Sequence, residues 1–323
     1  MLVRKSASGY TTLMGTHFEK ILRSSRFHMK EYIYPATCFK QLLSSLLIFP
    51  IMLTFGLACG CEDDEPRSFL PTPVPNIAET NPAFSNNGER IAFLSAFDSM
   101  GNAALGIYIS DSTGEQKFPT GVLGPKVEWL TGDSELIINT GLYGGGELVL
   151  YHLGSQIVRS LGISTYLPAF DVSKDGKYLF YVGPTIDSTH SSGIYRYSLI
   201  DSSVEAITDG TEPSVSQDGS KLVFSGKTIC YYLFNDSSQQ CTGFQGRHPI
   251  WTHDGQSIVY NNSKGEIFVA DLSGNTRYLV DGQGSMDISP DGSTLLFARV
   301  ASDFLIHIWR INLDGTGLQQ VTM

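Results

Sequence analysis

The chain has 323 residues, 41% of them hydrophobic and only 17% charged, with 33 glycines. Its formal net charge is −10; residues 1–61 carry 7 Lys/Arg against 2 Asp/Glu, which leaves the remainder at −15. A polyphosphate partner needs clustered basic side chains that release counterions, and no such cluster exists, which argues against nucleic-acid binding.

The first predicted element is a leader. Lys30 and Lys40 precede an apolar run over residues 42–58, broken by Pro50 and followed by small residues. A basic start, an apolar core and a small-residue exit describe a secretory signal, and the run is short for a membrane span of roughly 20 residues. Met29 makes a more ordinary start than Met1. Cys59 and Cys61 stand at the exit, ahead of the acidic residues 62–65. This resembles the lipobox of bacterial lipoproteins and implies lipidation of Cys61, which follows Gly60, or of Cys59, which follows Ala58. A cleaved signal with incidental cysteines and an uncleaved anchor are the competing readings. Residues 1–61 are thus read as a signal and 62–80 as an acidic, proline-rich tether that cannot bury apolar surface. An acyl anchor would be its sole tie to a membrane.

From residue 81 onward one unit recurs six times: a turn ending in Asp-Gly, Asn-Gly or Asp-Ser, then an apolar triplet. The copies are PAFSNNG at 82–88, WLTGDS at 129–134, PAFDVSKDG at 168–176, PSVSQDG at 213–219, PIWTHDG at 249–255 and MDISPDG at 286–292. Counted from Gly88, Ser134, Gly176, Gly219, Gly255 and Gly292, the steps lie between 36 and 46 residues. A period near 40 residues made of short strands marks a β-propeller. In the fifth copy Pro249 opens a first strand, since it cannot donate to a ladder. Asp254-Gly255 turns the chain, and 257–260, 266–270 and 277–280 supply three more strands rich in β-branched and aromatic residues. The predicted fold is all-β, a six-bladed propeller of four-stranded antiparallel blades over 81–323. The blades fall near 81–120, 124–161, 166–208, 211–243, 247–280 and 284–322. No strand is left over to complete another blade, so ring closure rests on side-chain packing or on an extra strand from 68–78. The recurring aromatics Phe84, Trp129, Phe170, Phe180, Phe224, Trp251, Tyr260 and Phe297 are assigned to packing between blades.

The repeat, Pro-x-(Phe/Trp)-Ser-x-Asp-Gly followed by (Ile/Leu)-x-Phe and Ile-Tyr, resembles that of TolB-type propellers over residues 81–322. The resemblance implies an envelope module that binds other molecules. Propellers of this type also serve as peptidase gates and as sugar-processing enzymes, and fold alone does not choose among these roles.

Cys230 and Cys241 flank the turn at 235–238 and form a candidate disulfide in an oxidising compartment. In this strand order the long second-to-third-strand loops share a face with the residues that lead into each inner strand. Asn81, Lys126, Glu212, His248 and Ser285, with Leu167, are therefore candidates for a binding mouth, joined by Tyr143, Asp187 and His190 from the long loops. Residues 171–176 superficially resemble a calcium loop, but the twelfth position is Val182, where a bidentate acid is required. Neither a metal-binding histidine spacing nor a Gly-x-Ser-x-Gly elbow is present, so no cofactor, metal or catalytic residue is assigned. The resulting reading is a monomeric, non-catalytic, exported propeller of a bacterial envelope that binds a protein or a cell-wall glycan. Its rival is a sugar or lactone hydrolase or lyase working at the channel mouth, with or without a metal.

Overall fold

The computed structural model describes residues 78–97, 103–141, 144–184 and 192–323. Cys59, Cys61, Tyr143, Asp187, His190, the predicted leader and residues 62–77 of the predicted tether lie outside the described residues, whereas Glu79 and Thr80, expected in the tether, open the first strand. Among those described there is no helix, and twenty-four strands form six sheets of four antiparallel strands each. The inner strands are Glu79–Phe84, Lys126–Trp129, Phe170–Val172, Thr211–Val215, Arg247–Trp251 and Gln283–Ile288. Each neighbours the next in order, and the sixth neighbours the first, which closes a ring.

The turn after each inner strand shows why the repeat folds. Ser85, Ser173, Ser216, Thr252 and Ser289 each donate their hydroxyl to the carboxylate or amide oxygen two residues on, in Asn87, Asp175, Asp218, Asp254 and Asp291. The same hydroxyl then accepts the backbone N–H that opens the second strand. A left-handed residue completes the turn, at Gly88, Gly176, Gly219, Gly255 and Gly292. Blade 2 has Leu130 where the others have Ser or Thr, and Asp133 takes the left-handed place with φ 56°. The turn position of the second copy is therefore Asp133, one residue before the expected Ser134. The missing hydroxyl is what makes that copy irregular.

Stability resides in the seams. Six clusters of buried apolar side chains each draw on two adjacent blades, such as Phe180 and Ile194 with Val215, Leu222 and Phe224, or Trp251, Ile258 and Tyr260 with Val223 and Ile229. A single four-stranded sheet cannot bury both faces, so each blade uses its neighbours as its core. The recurring aromatics do sit here: Phe170, Phe180, Phe224 and Phe297 are at most 2% exposed. Tight packing also fixes glycines in the linkers. A Cβ on Gly282 would come within 2.4 Å of the Phe297 ring, and one on Gly246 within 2.3 Å of Tyr260.

All four strands of every blade are consecutive in sequence, so no strand is shared across the closing seam. That seam carries its own apolar cluster, with Ile91, Phe93 and Tyr108 against Leu296, Ile308 and Val321. Polar links reinforce it. The Asp287 carboxylate accepts the Phe84 N–H at 2.7 Å. Buried Glu79 accepts from Lys117 Nζ at 2.7 Å and stands 3.3 Å from His307 Nδ1. Ala78 adds one parallel bridge to Ile306, at the start of the third strand of blade 6, on the side away from Val300, where the short fourth strand Gln319–Gln320 does not reach.

Cys230 and Cys241 are direct partners across the two outermost strands of blade 4, with their sulfurs 1.98 Å apart. Peptide mapping under non-reducing conditions should find them linked, and reduction should lower stability by about 2–3 kcal/mol for a loop of this size. Two alkylatable thiols at these positions before reduction would refute the bond.

Candidate functional site: a charged central channel

Two connected chambers occupy the ring's axis. The upper one, about 450 Å³, is lined by Asn81, Lys126, Leu167, Glu212, Arg247, His248 and Ser285. All five of the described mouth candidates thus converge on one opening, although each lies within its inner strand rather than before it. Leu167 lies there too, although the residue leading into the inner strand of blade 3 is Ala169. Three of these residues reach the rim through unusual backbone: Asn81, Glu212 and His248 have φ of 54°, 53° and 49°. Each sits where its strand slips register against the second strand, so a bulge turns the side chain toward the axis.

The rim is tied from blade to blade. Asn81 donates to the Pro125 carbonyl at 2.6 Å and accepts from the Ser285 N–H at 3.3 Å. The Glu212 carboxylate accepts the His248 N–H and the Ser225 hydroxyl, each at 2.8 Å, and its other oxygen lies 3.6 Å from His248 Nδ1. Burial pushes the His248 imidazole below its ordinary pKa, and Lys126 and Arg247 add to this against the pull of Glu212. His248 is therefore neutral at pH 7 and can offer one donor and one acceptor.

The lower chamber, about 280 Å³, shares Lys126, Ala169, Glu212, His248 and Ser285 with the upper one and extends to the face of the tight turns. There each blade contributes the second residue of its turn: Asn86, Thr131, Lys174, Gln217, His253 and Pro290. Between the two ends lie Glu128, Asp171 and Asp287, on blades 2, 3 and 6. All three occupy the same repeat position, two residues before the turn's first residue; Ala83, Ser214 and Ile250 fill it in the other blades.

Asp171 and Asp287 use their carboxylates alike. One oxygen accepts the next residue's N–H, from Val172 and Ile288, and the other accepts an N–H of the following blade, from Val215 and Phe84. Asp171 therefore bonds across to the next blade, not within a calcium-type loop. Burial, together with the charge of Glu128, pushes both carboxyls up to about 6. Burial works most strongly against the Lys126 ammonium, but its pairing and hydrogen bond with Glu128, together with the charges of Asp171 and Asp287, hold it above its usual pKa. Lys174 is likewise raised against burial by Asp287, Asp171 and Glu128. Chemically the channel can accept hydrogen bonds, hold a cation, or keep and release protons near pH 6. Among the described residues no three His, Cys, Asp or Glu side chains are placed to hold a metal.

The lead-in positions were legible in the sequence, whereas Glu128, Asp171, Asp287 and Lys174 were not assigned there. Their signal is the shared offset from the turn, acidic in three copies of six.

No family model matches the sequence, and no curated protein matches it. Among solved structures, the ring is similar to TolB from Acinetobacter baumannii, with TM-score 0.61 and 18% identity over 72% of this chain. The match spans 63% of that protein, less than two thirds of its length. A putative TolB from Agrobacterium tumefaciens gives TM-score 0.53 and 15% identity over 66% of this chain and 83% of its own. An oligogalacturonate lyase in complex with manganese gives TM-score 0.49 and 14% identity, over 77% of this chain and 79% of its own. The chain thus has the TolB-like six-bladed β-propeller fold.

Proposed function

We propose that the chain is a non-catalytic binding propeller of a bacterial envelope, exported and held by a lipid at Cys61 or Cys59, which engages a protein or cell-wall glycan at the upper mouth. One observation carries this reading: three blades spend strained, left-handed backbone at Asn81, Glu212 and His248 to gather polar side chains at one opening. Such conformations cost of order 1 kcal/mol or more each and persist where a site requires them. The binding role of the TolB-like fold agrees with it, as an analogy.

The test is quantitative capture of an envelope component by the full chain, wild type against Glu212→Gln and His248→Ala. Saturable binding that falls about tenfold or more in the variants supports the mouth; equal binding by all three removes it. Labelling with a lipid precursor in Cys61→Ala and Cys59→Ala chains decides the anchor.

A second reading, an enzyme acting on sugars or lactones, draws on Asp171 and Asp287, since carboxyls raised to about 6 suit general acid catalysis. Turnover of glycan or lactone substrates that is abolished by Asp171→Asn would favour it over simple binding.

A further inference from the structure

Resting on the binding reading of the mouth, we infer that the upper chamber takes a carboxylate group, held by Arg247 beside His248. The hydrogen bonds of the rim point there. The amide and carboxylate oxygens that line this chamber are already in use. Asn81 Oδ1 takes the Ser285 N–H, and one Glu212 oxygen takes the His248 N–H and the Ser225 hydroxyl. The other Glu212 oxygen faces His248 Nδ1, and Lys126 is seated on Glu128. Arg247 differs from all of these. It lines the chamber, is exposed, and makes neither an ion pair nor a side-chain hydrogen bond among the described residues. Its planar fork of N–H donors matches a carboxylate bidentately. Ser285, on blade 6, adds a hydroxyl that makes no bond among the described residues.

The backbone supplies an independent observation. Arg247 and His248 are consecutive in one strand, and a regular pleat would send their side chains to opposite sides. Both line the chamber all the same. The strand slips register between Arg247 and Ile250, with His248 in the left-handed region, and this bulge turns the pair toward one opening. Blade 5 thus spends strained backbone to set a cation and an imidazole side by side at the mouth of an acidic ring.

Protons assist the same ligand. Burial lowers the His248 pKa first, Glu212 raises it, and Lys126 and Arg247 lower it again; these are the charged groups that face it. A carboxylate on Arg247 cancels the push of the cations, so the imidazole gains a proton and becomes a second donor. Binding then takes up a proton and strengthens as pH falls. Protonation of Asp171 and Asp287, which rises as pH falls to about 6, removes negative charge from the chamber below and acts in the same direction.

The experiment is calorimetric titration of the full chain with N-acetylmuramic acid and with N-acetyl-dialanine, at about pH 8 and about pH 6. N-acetylglucosamine and N-acetyl-dialanine amide are the uncharged controls. At least one acid should bind saturably, about two- to ten-fold more tightly at the lower pH and with proton uptake there. Its uncharged counterpart should bind at least about ten-fold more weakly. The preferred acid tells an acidic sugar from a peptide C-terminus as the source. Arg247→Gln, at an exposed position with no bond to lose among the described residues, should weaken binding about ten- to a hundred-fold and leave the melting temperature unchanged. The inference fails if neither acid binds, if the uncharged counterparts bind as well, or if Arg247→Gln binds as the wild type does. Capture of an envelope component is measured on the same variant. Capture that survives in Arg247→Gln but falls in the Glu212 and His248 variants keeps the mouth and removes the carboxylate.

Discussion

Phe297→Ala should destabilise the ring by about 3–5 kcal/mol, the cost of emptying a fully buried aromatic site. Phe297 is 0% exposed and packs with Ile267, Leu279, Val280 and Met286 at the seam of blades 5 and 6. The cavity cannot collapse readily, because the strands on both sides are fixed by their own ladders. Calorimetry should record a Tm drop on the order of 10 °C. Gly282→Ala attacks the same contact from the other side, since its Cβ would lie 2.4 Å from the ring of Phe297. Alone it should cost about 1–3 kcal/mol through overpacking. Combined, the two changes should cost less than their sum, because the alanine methyl then enters the space the ring has left. A strictly additive double mutant would show that the seam does not pack as described.

The second large effect is a stability maximum on the acid side of neutrality. Asp171 and Asp287 have carboxyls raised from 3.8 to about 6 in the folded chain. The folded state therefore binds more protons than the unfolded one between about pH 4 and 6. The stabilisation from protonating them is complete below about pH 4 and is lost as pH rises through about 6. Each contributes on the order of 2 kcal/mol once water in the channel is allowed for. Surface aspartates act in the opposite sense. Asp201, Asp218 and Asp291 accept hydrogen bonds from neighbouring serines that hold their carboxyls near 2. Their contribution is present above about pH 4 and fades as acid protonates them. Melting temperature should thus peak between about pH 4 and 6 and decline toward pH 8. Asp171→Ala with Asp287→Ala should flatten the alkaline side of that curve. A wild-type profile that rises steadily from pH 5 to 8 would contradict the buried-carboxylate arrangement.

The ring was readable because its grammar is local. Ser or Thr, then Asp or Asn, then Gly encodes a turn through bonds within five residues, and five copies carry it intact. Blade 2 was misaligned by one residue because Leu130 lacks the hydroxyl and Asp133 does the work of glycine. The mouth was found because one lead-in per blade must face the axis. The carboxylate layer beneath was not, for a physical reason. Glu128 and Asp171 adjoin Trp129 and Phe170, which point into the seams, and the alternation of a short strand shows its apolar members most clearly. Which polar residues look inward, and how far their charges are shielded, depends on blades far apart in sequence. The hydrogen bonds from Val215 to Asp171 and from Phe84 to Asp287 span 44 and 203 residues. No local pattern announces such a pairing.

Self-contained blades have a consequence for evolution. Because no sheet borrows a strand from another, insertion or deletion of a whole unit of roughly 40 residues would leave every remaining ladder intact and change only the circumference. The bore through the middle would widen or narrow in discrete steps, so the number of duplicated units, more than any single side chain, sets the girth of what can enter.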